Sequence, residues 1–156
     1  MTEQPDEDVE VPDLAVADTH IVSAILFGQR RPSQAELLRR YDVHLHGKSL
    51  VLSFATVCEL RYGGLKESWA PARRQVMEDW LSKVATIVMP DNDLVTVCAS
   101  LRDACRRAGH GLHEKIHDSD RWIASTAIRY RIPLISDDGI FRDVPGLTLL
   151  QEQVSA

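Results

Sequence analysis

The sequence predicts an α/β fold with a mainly parallel sheet of four to five strands. Short apolar runs of three or four residues alternate along the chain with longer segments whose apolar residues recur at helical spacing. The length of 156 residues suits one domain, and a hydrophobic content of 44% allows a full core. Neither an internal repeat nor an interdomain linker interrupts the alternation.

Continuous apolar runs mark the predicted strands. Runs of this kind are typical of parallel strands that helices cover on both faces. In chain order they occupy residues 14–17, 50–52, 87–89, 133–136 and 147–150. The last run precedes a polar C-terminus, so we expect it at an edge of the sheet.

Six segments have the periodicity of amphipathic helices. They lie at residues 21–27, 32–41, 54–62, 71–84, 91–108 and 122–130. Ser53 is placed to cap the third helix, and Gly109 is placed to end the fifth. Gly63 and Gly64 predict the end of the third helix. The polar residues 110–118 are expected to form a loop.

The formal net charge of -5 is concentrated at the N-terminus. Residues 1–13 contain six of the 23 acidic residues and no basic one, which leaves 17 acidic against 18 basic residues in the body. The body therefore has a net charge of about +1, and its surface becomes more positive if cations mask some of its acids. Residues 1–12 have too few apolar side chains to offset the entropy of ordering, so we expect a disordered acidic tail.

Features of secreted and membrane proteins are missing from the sequence. No apolar run approaches the length that spans a bilayer, and the acidic first residues contain no apolar stretch. Three cysteines share no CxxC spacing and lie in apolar-periodic segments, which predicts reduced core residues. They are Cys58, Cys98 and Cys105. We therefore expect a cytoplasmic protein with no membrane partner.

Acidic residues follow four of the predicted strand-to-helix junctions. Since the carboxyl ends of parallel strands meet at one edge of a sheet, these acids can face each other there. They are Asp18, Glu59, Asp120 or its neighbour Asp118, and Asp138 or its neighbour Asp137. Asp118 and Asp120 could equally cap a helix, and the pair before Gly139 could serve only to form a turn.

Carboxylates gathered at one edge would repel each other strongly. Each pair 4 Å apart costs about 4 kcal/mol at an effective dielectric near 20. Such a cluster is stable only with bound protons or cations, and oxygen ligands without cysteine favour Mg²⁺ or Mn²⁺. A cation held there can activate water and neutralise charge on a phosphate, which is the chemistry of a metal-dependent nuclease.

The order and spacing of these acids resemble the PIN-domain ribonucleases, and among them the toxins of VapC type. Four segments support the resemblance, namely residues 17–23, 53–63, 120–127 and 134–141. The resemblance implies a three-layer α/β/α PIN domain over residues 13–152. It selects Asp120 over Asp118, because Ile-Ala follows after two residues, and Asp138 over Asp137, because Phe follows three residues on.

The resemblance also implies an activity and its partners. Asp18, Glu59, Asp120 and Asp138 would be both the catalytic residues and the ligands of one or two Mg²⁺ or Mn²⁺ ions. The substrate would be RNA, with tRNA or ribosomal RNA typical of the family. The partners would be a cognate antitoxin protein and a second copy of the chain, in a homodimer.

The sequence departs from the family pattern at three positions. His20 stands where Asn is frequent, Ser119 stands where Asn is common, and Ser136 replaces the more usual Thr. Because Ser136 keeps a hydroxyl, we expect it to bond a carboxylate or water and to lie near substrate. Two arginines that flank site acids, Arg61 and Arg121, are candidate phosphate contacts.

Other functions receive less support from the sequence. A catalytically silent PIN-like module that binds RNA or protein is the main alternative. His110, His113 and His117 are spaced for a metal, but structural zinc usually has four ligands including cysteine, so a polar loop near RNA is preferred. A receiver-type signalling domain would need an acidic pair where Ala17 precedes Asp18, and no Gly-rich phosphate loop occurs.

Overall fold

The structure, a computed structural model, describes residues 13–152, apart from the side chain of Gln29. Five parallel strands form one sheet in the order β3-β2-β1-β4-β5. They are β1 (Leu14–Ala17), β2 (Ser49–Ser53), β3 (Thr86–Val88), β4 (Leu134–Ile135) and β5 (Leu149–Leu150). The predicted α/β class and the number of strands are confirmed. The predicted acidic tail at residues 1–12 lies outside the described residues.

Helices follow the strands in the predicted alternation. They are α1 (Thr19–Phe27), α2 (Pro32–Leu45), α3 (Phe54–Lys66), α4 (Pro71–Lys83), α5 (Asn92–Ala108) and α6 (Asp118–Tyr130). Short 3-10 turns lie at Gly28–Arg30, Gly111–His113, Lys115–His117 and Gly139–Phe141. In the described part of the chain, none of the helices is both long enough and apolar enough to cross a bilayer.

The sheet separates two apolar cores, which makes the fold a three-layer α/β/α sandwich. Along β1, Ala15 and Ala17 belong to one core and Val16 to the other, because successive side chains of a strand point to opposite faces. Residues of α1, α2 and α4 fill the first core, and residues of α5 and α6 fill the second. Each fully buried Leu, Ile or Phe contributes about 1.5–3 kcal/mol to stability.

The cysteines fit the predicted core placement only in part. Cys105 is buried in the second core, whereas Cys98 is half-buried and Cys58 is exposed on α3. The prediction is wrong for Cys58, because it lies on the exposed side of α3, whereas Val57 and Leu60 lie on its buried side. Trp69 and Trp80 pack against the first core, and Trp122 packs against the second.

The path of the chain through the sheet creates a crevice between β1 and β4. From β1 the chain moves through β2 to β3, and it then returns to β4 on the other side of β1. The two strands are tied at their carboxyl ends, where the Asp18 N–H donates to the Ile135 carbonyl at 3.0 Å. Open α/β sheets bind ligands where the strand order reverses in this way, so the fold predicts a ligand site at this edge.

Helix α3 ends later than the two glycines predict. It continues to Lys66, and Ser68 adopts a left-handed conformation with φ of 51°. The Trp69 N–H donates to the Gly64 carbonyl at 2.9 Å and the Ser68 N–H to the Leu65 carbonyl at 3.1 Å, which is the Schellman pattern. Gly64 serves packing instead, since a Cβ there would lie 3.1 Å from the Trp69 ring.

Replacing Ser68 with glycine should stabilise the fold. A non-glycine residue is strained in the left-handed region, so Ser68→Gly should raise the free energy of unfolding by about 0.5–1 kcal/mol. The matched control is Ser100→Gly in the exposed middle of α5, which should lower it by about 0.5 kcal/mol. Urea denaturation of both variants measures the two shifts, and a loss of stability in Ser68→Gly would contradict the expected strain.

Candidate active site at the carboxyl edge of the sheet

Asp18 is the most deeply buried acid at this edge, with a relative exposure of 6%. It follows β1 directly and caps α1, where its Oδ1 accepts a hydrogen bond from the Thr19 N–H at 2.8 Å. Its Oδ2 accepts a hydrogen bond from the Ser136 hydroxyl at 2.7 Å. Ser136 follows β4 and is itself fully buried. This side-chain bond therefore connects the ends of the two neighbouring strands, in addition to their backbone pairing.

Burial leaves the Asp18 carboxylate short of compensating charge. Desolvation raises the pKa of Asp18 to about 6, against an ordinary value of 3.8, and the hydrogen bonds from Ser136 and Thr19 only partly oppose it. The negative charge of Asp120 raises this pKa further. Asp120 therefore lies close enough to Asp18 for the two carboxylates to repel each other.

Ser136 connects Asp18 to a second predicted acid. Its Oγ accepts a hydrogen bond from the Asp138 N–H at 3.0 Å while its own hydroxyl donates to Asp18. The Asp138 carboxylate is exposed and accepts a hydrogen bond from the Ile140 N–H at 3.0 Å, which caps the turn Gly139–Phe141. The expectation that Ser136 bonds a carboxylate is confirmed, and the hydroxyl acts as a positioning group.

Asp120 lies in the first turn of α6 and has a histidine partner. The Nδ1 atom of His117 is 2.9 Å from Asp120 Oδ2, and each side chain is between a quarter and a third exposed. Sequence reasoning placed His117 in a polar loop and missed this contact. The spacing of three residues between His117 and Asp120 at the start of a helix was the available indication, because side chains so spaced are neighbours on a helix.

Glu59 lies on α3 between two small cavities. One has a volume of about 110 Å³ and is shared with Thr19 of α1. The other has a volume of about 340 Å³ and is shared with Asp118 and Ser119 of α6. Helices α1 and α3 are linked here by the Thr19 hydroxyl, which donates to Thr56 Oγ1 at 3.2 Å. Glu59 therefore borders the region between the other acids.

The structure brings the four predicted acids to one edge but does not close them into one cluster. Within residues 13–152, no three His, Cys, Asp or Glu side chains are close enough to hold a metal ion together. Asp18, Asp120 and Asp138 each accept hydrogen bonds from their own neighbours. Because like charges repel, neighbouring carboxylates favour such separate partners. We call this region of Asp18, Glu59, Asp120 and Asp138 the acidic edge.

The chemistry of the acidic edge suits a hard divalent cation. Its donors are carboxylate and hydroxyl oxygens, the ligands that Mg²⁺ and Mn²⁺ prefer. Asp18 carries a charge that burial disfavours and that the nearby His20 compensates only weakly. A cation would supply that compensation. The residues therefore suit a divalent cation by donor type and by charge. Asp18 and Asp120 are the two carboxylates that interact electrostatically.

Arg121 does not fit its predicted role as a phosphate contact. Its side chain is buried, with a relative exposure of 3%, and it donates to the carbonyls of Leu112 at 2.8 Å and Glu114 at 2.6 Å. It also forms an ion pair with Asp118. These bonds fasten the segment before α6, which contains two 3-10 turns, onto the helix. Arg121 thus has a structural role, which is to hold this segment against α6.

Arg61 and the remaining loop histidines also have partners. The exposed guanidinium of Arg61 forms two bonds to Glu78, at 2.9 and 3.0 Å. Nε2 of His110 lies 2.7 Å from the Arg142 carbonyl, and Nδ1 of His113 lies 2.8 Å from the His110 carbonyl. These two histidines therefore stabilise their own loop.

Arg121 and Arg61 should differ sharply in their contributions to stability. Arg121→Ala leaves buried carbonyls without donors and should lower the free energy of unfolding by about 2–4 kcal/mol. Arg61→Ala removes only an exposed pair with Glu78 and should cost at most about 1 kcal/mol. Urea denaturation of both variants measures the difference, and equal losses would contradict the structural role of Arg121.

The raised pKa of Asp18 predicts a pH-dependent stability in metal-free buffer. Folded protein takes up a proton near pH 6, whereas the unfolded chain does so near pH 3.8. This contribution to stability is therefore present in full below about pH 4 and is lost as pH rises through about 6, by up to roughly 3 kcal/mol. Asp18→Asn should lack this loss. Denaturation in EDTA between pH 4.5 and 8 measures it, and a pH-independent difference between the two proteins would contradict it.

Comparison with known proteins supports the same fold. A chain of the crystal structure of VapBC2 from Rickettsia felis, bound to a DNA fragment from its promoter, matches with a TM-score of 0.66 and 20% identity over 90% of this chain and 99% of that chain. VapBC-1 from nontypeable Haemophilus influenzae matches with a TM-score of 0.62 and 21% identity over 88% and 97%. At these identities the likeness concerns the fold.

The chain also matches a third solved structure and a protein family. VapBC-5 from Mycobacterium tuberculosis, a member of the VapBC family of toxin–antitoxin systems, matches with a TM-score of 0.57 and 23% identity over 92% of this chain and 100% of that chain. No curated protein matches the sequence. The sequence pattern of the PIN domain matches residues 15–147. Since that match covers most of its length, the chain belongs to the PIN domain family.

Proposed function

We propose that this protein is a metal-dependent endoribonuclease that hydrolyses RNA phosphodiester bonds as the toxin of a toxin–antitoxin pair. The observation that carries the proposal is the buried Asp18 carboxylate at the crevice between β1 and β4, with Asp120 close enough to repel it. Both side chains sit at the edge where α/β sheets bind ligands. Membership of the PIN domain family supports the nuclease class.

Asp18 and Asp120 would provide the first ligands of a cation, and Glu59 and Asp138 would join them. A bound Mg²⁺ or Mn²⁺ would supply charge neutralisation at the scissile phosphate and lower the pKa of attacking water. The exposed carboxylate of Asp138 and the half-buried one of Glu59 are bordered by open space, so both can turn toward the crevice. Their rotation is the change that would complete the site.

The residues behind the acids hold them in place. Ser136 fixes one oxygen of Asp18 and the backbone of Asp138 at once. Tyr41 in turn donates from its hydroxyl to the Ser136 carbonyl at 3.2 Å, and Tyr41 is buried. His117 holds one oxygen of Asp120. Each of these bonds reduces the freedom of an acid before substrate arrives, which is how an active site is preorganised.

RNA is the proposed substrate, with tRNA or ribosomal RNA as candidates. Of the three residues predicted to contact it, Ser136 and Arg121 are buried and Arg61 alone is exposed. Arg61 would have to leave Glu78 to reach a phosphate. A net charge of about +1 for the body, together with a bound cation, favours a polyanion at this edge.

The proposal includes a cognate antitoxin, a homodimer and a cytoplasmic location. Similar structures contain VapBC complexes and a toxin–antitoxin complex from Klebsiella pneumoniae, which supports a protein partner. An apolar groove of about 580 Å³ beside α3 offers a place for one, with exposed side chains of Tyr62, Leu65 and Met89 along it. Apolar patches of this kind often mark protein interfaces.

A catalytically silent PIN-like module that binds RNA or protein is the second candidate. The observation that favours it is the absence, within the described chain, of three acids close enough to share a metal. A titration with Mn²⁺ distinguishes the two functions. Saturable binding that Asp18→Asn abolishes supports the nuclease, and no binding supports the silent module.

Removing an acid of the acidic edge should abolish cleavage. Incubation of the protein with total cellular RNA and Mg²⁺ or Mn²⁺ should yield specific new ends, and a chelator should prevent them. Asp18→Asn and Asp120→Asn should each reduce the rate by about 10³-fold, because a metal contributes several kcal/mol of transition-state stabilisation. Mapping of the RNA ends by sequencing identifies the substrate.

The neighbouring acids provide matched controls for this test. Asp118→Asn and Asp137→Asn remove the same charge one or two residues away, and their rates should fall by no more than a few fold. Asp118 pairs with Arg121, so a lower melting temperature is expected for that variant alone. Rates as low as those of the Asp18 and Asp120 variants would show that the wrong members of each acidic pair were chosen.

A further inference from the structure

Arg73, near the start of α4, has a guanidinium that is held in place but not paired. It lies over two aromatic rings, 4.0 Å from the Trp69 centroid and 4.5 Å from the Phe27 centroid. Its Nε atom is buried and has no hydrogen-bond partner among residues 13–152. In contrast to Arg61 and Arg121, Arg73 forms no salt bridge within the described chain. Stacking therefore sets the plane of the guanidinium, while its terminal N–H groups make no hydrogen bond to the described residues.

The rings beneath Arg73 are themselves fixed. Trp69 contacts Phe27 edge to face, with ring centroids 4.7 Å apart, and its Nε1–H donates to Glu67 at 3.0 Å. Gly64 allows the Trp69 ring to approach the α3 backbone closely, and the turn at Ser68 delivers it there. A stacked guanidinium loses little entropy when it binds, because its plane is already set.

Arg73 lines the cavity of about 110 Å³ that leads to the acidic edge. Thr19 and Glu59 line the same cavity, as do Arg31 and Gln34. Gln34 Oε1 is also buried and also lacks a hydrogen-bond partner in the described part of the chain. A buried polar atom without a partner costs about 1–3 kcal/mol. Both atoms are closed to solvent, so a polar ligand in the cavity would contact the outer nitrogens of Arg73 and Gln34.

We propose that the mouth of this cavity binds one backbone phosphate of an RNA strand, next to the phosphate that is cleaved. Arg73 would donate to the phosphate oxygens, since its planar fork matches them. The Gln34 amide would bond the ribose 2′-hydroxyl, which distinguishes RNA from DNA. Arg31 and Glu67, which are 3.9 Å apart, also line the cavity, and they compensate each other's charge.

Location favours a nucleic-acid phosphate over other anions. Glu59 and Thr19 connect the cavity to the acidic edge, so a strand that passes over the acids also reaches Arg73. Phosphate contacts of this kind fix the position of a strand relative to the reacting atoms. The inference rests on the proposed function, because it assumes that RNA lies along this edge.

Binding to single-stranded RNA tests the inference. The assay uses the Asp120→Asn protein, which prevents cleavage, with a short fluorescein-labelled RNA and a DNA of the same sequence. Arg73→Gln should weaken binding of both strands by about tenfold. It should also reduce the slope of log Kd against log salt by about 0.7, the value for one phosphate contact on a single strand. Gln34→Met should weaken RNA binding several fold and leave DNA binding unchanged.

Arg74→Gln is the matched control for charge. It removes a positive charge from the adjacent, exposed position of α4, and it should change Kd by less than twofold. Arg73→Lys keeps the charge without the planar fork and should give an intermediate Kd. Melting temperatures show whether the altered stacking unfolds Arg73→Gln. If it does, the Kd of Arg73→Lys is compared with that of the wild type instead, and equal values would count against the inference.

Each outcome separates this inference from the proposed function. If the wild-type protein shows metal-dependent cleavage but Arg73→Gln and Arg74→Gln bind RNA with equal Kd values, the inference is overturned and the proposed function stands. RNA binding that depends on Arg73 without any cleavage would support the inference and refute the nuclease. A labelled Glu-rich peptide serves as a second ligand in the same assay. If Arg73→Gln weakens binding of the peptide but not of RNA, the inference is overturned in favour of a protein partner. Failure of every variant to bind RNA would overturn both.

Discussion

The hydrogen bond between Ser136 and Asp18 is the contact on which the acidic edge depends. It joins the ends of β1 and β4 through two residues that are 118 positions apart in sequence, at the reversal of strand order. Burial makes the Asp18 charge costly, and the same burial makes its electrostatic interactions strong. A cation would relieve that cost. The need for charge compensation thus connects the fold to the proposed chemistry.

Much of the fold is predictable because local patterns agree with the global arrangement. Apolar runs predict the strands, and helical spacing predicts the helices. The end of α3 is not predictable in this way, since Gly64 is required by the approach of Trp69, a tertiary contact. The acidic edge follows from parallel topology, but the directions of the Asp138 and Glu59 side chains depend on rotamers that sequence does not reveal.

Three arginines show why charge type alone does not assign a role. Arg121 is buried and fastens a loop, Arg61 is paired at the surface, and Arg73 is stacked on aromatic rings with donors to spare. Sequence reasoning selected Arg121 and Arg61 because they flank acids of the predicted site. Their hydrogen-bond partners distinguish the three arginines, because a guanidinium whose N–H groups are already bonded has few donors left for a phosphate.

The central claim is that the acidic edge binds a divalent cation through Asp18 and Asp120. Crystals grown with Mn²⁺ and measured at its absorption edge test it most directly, because anomalous scattering locates the ion. The account predicts an anomalous peak coordinated by carboxylate oxygens of Asp18 and Asp120, with Glu59 or Asp138 turned toward it. A well-ordered crystal with saturating Mn²⁺ and no peak at this edge would contradict it.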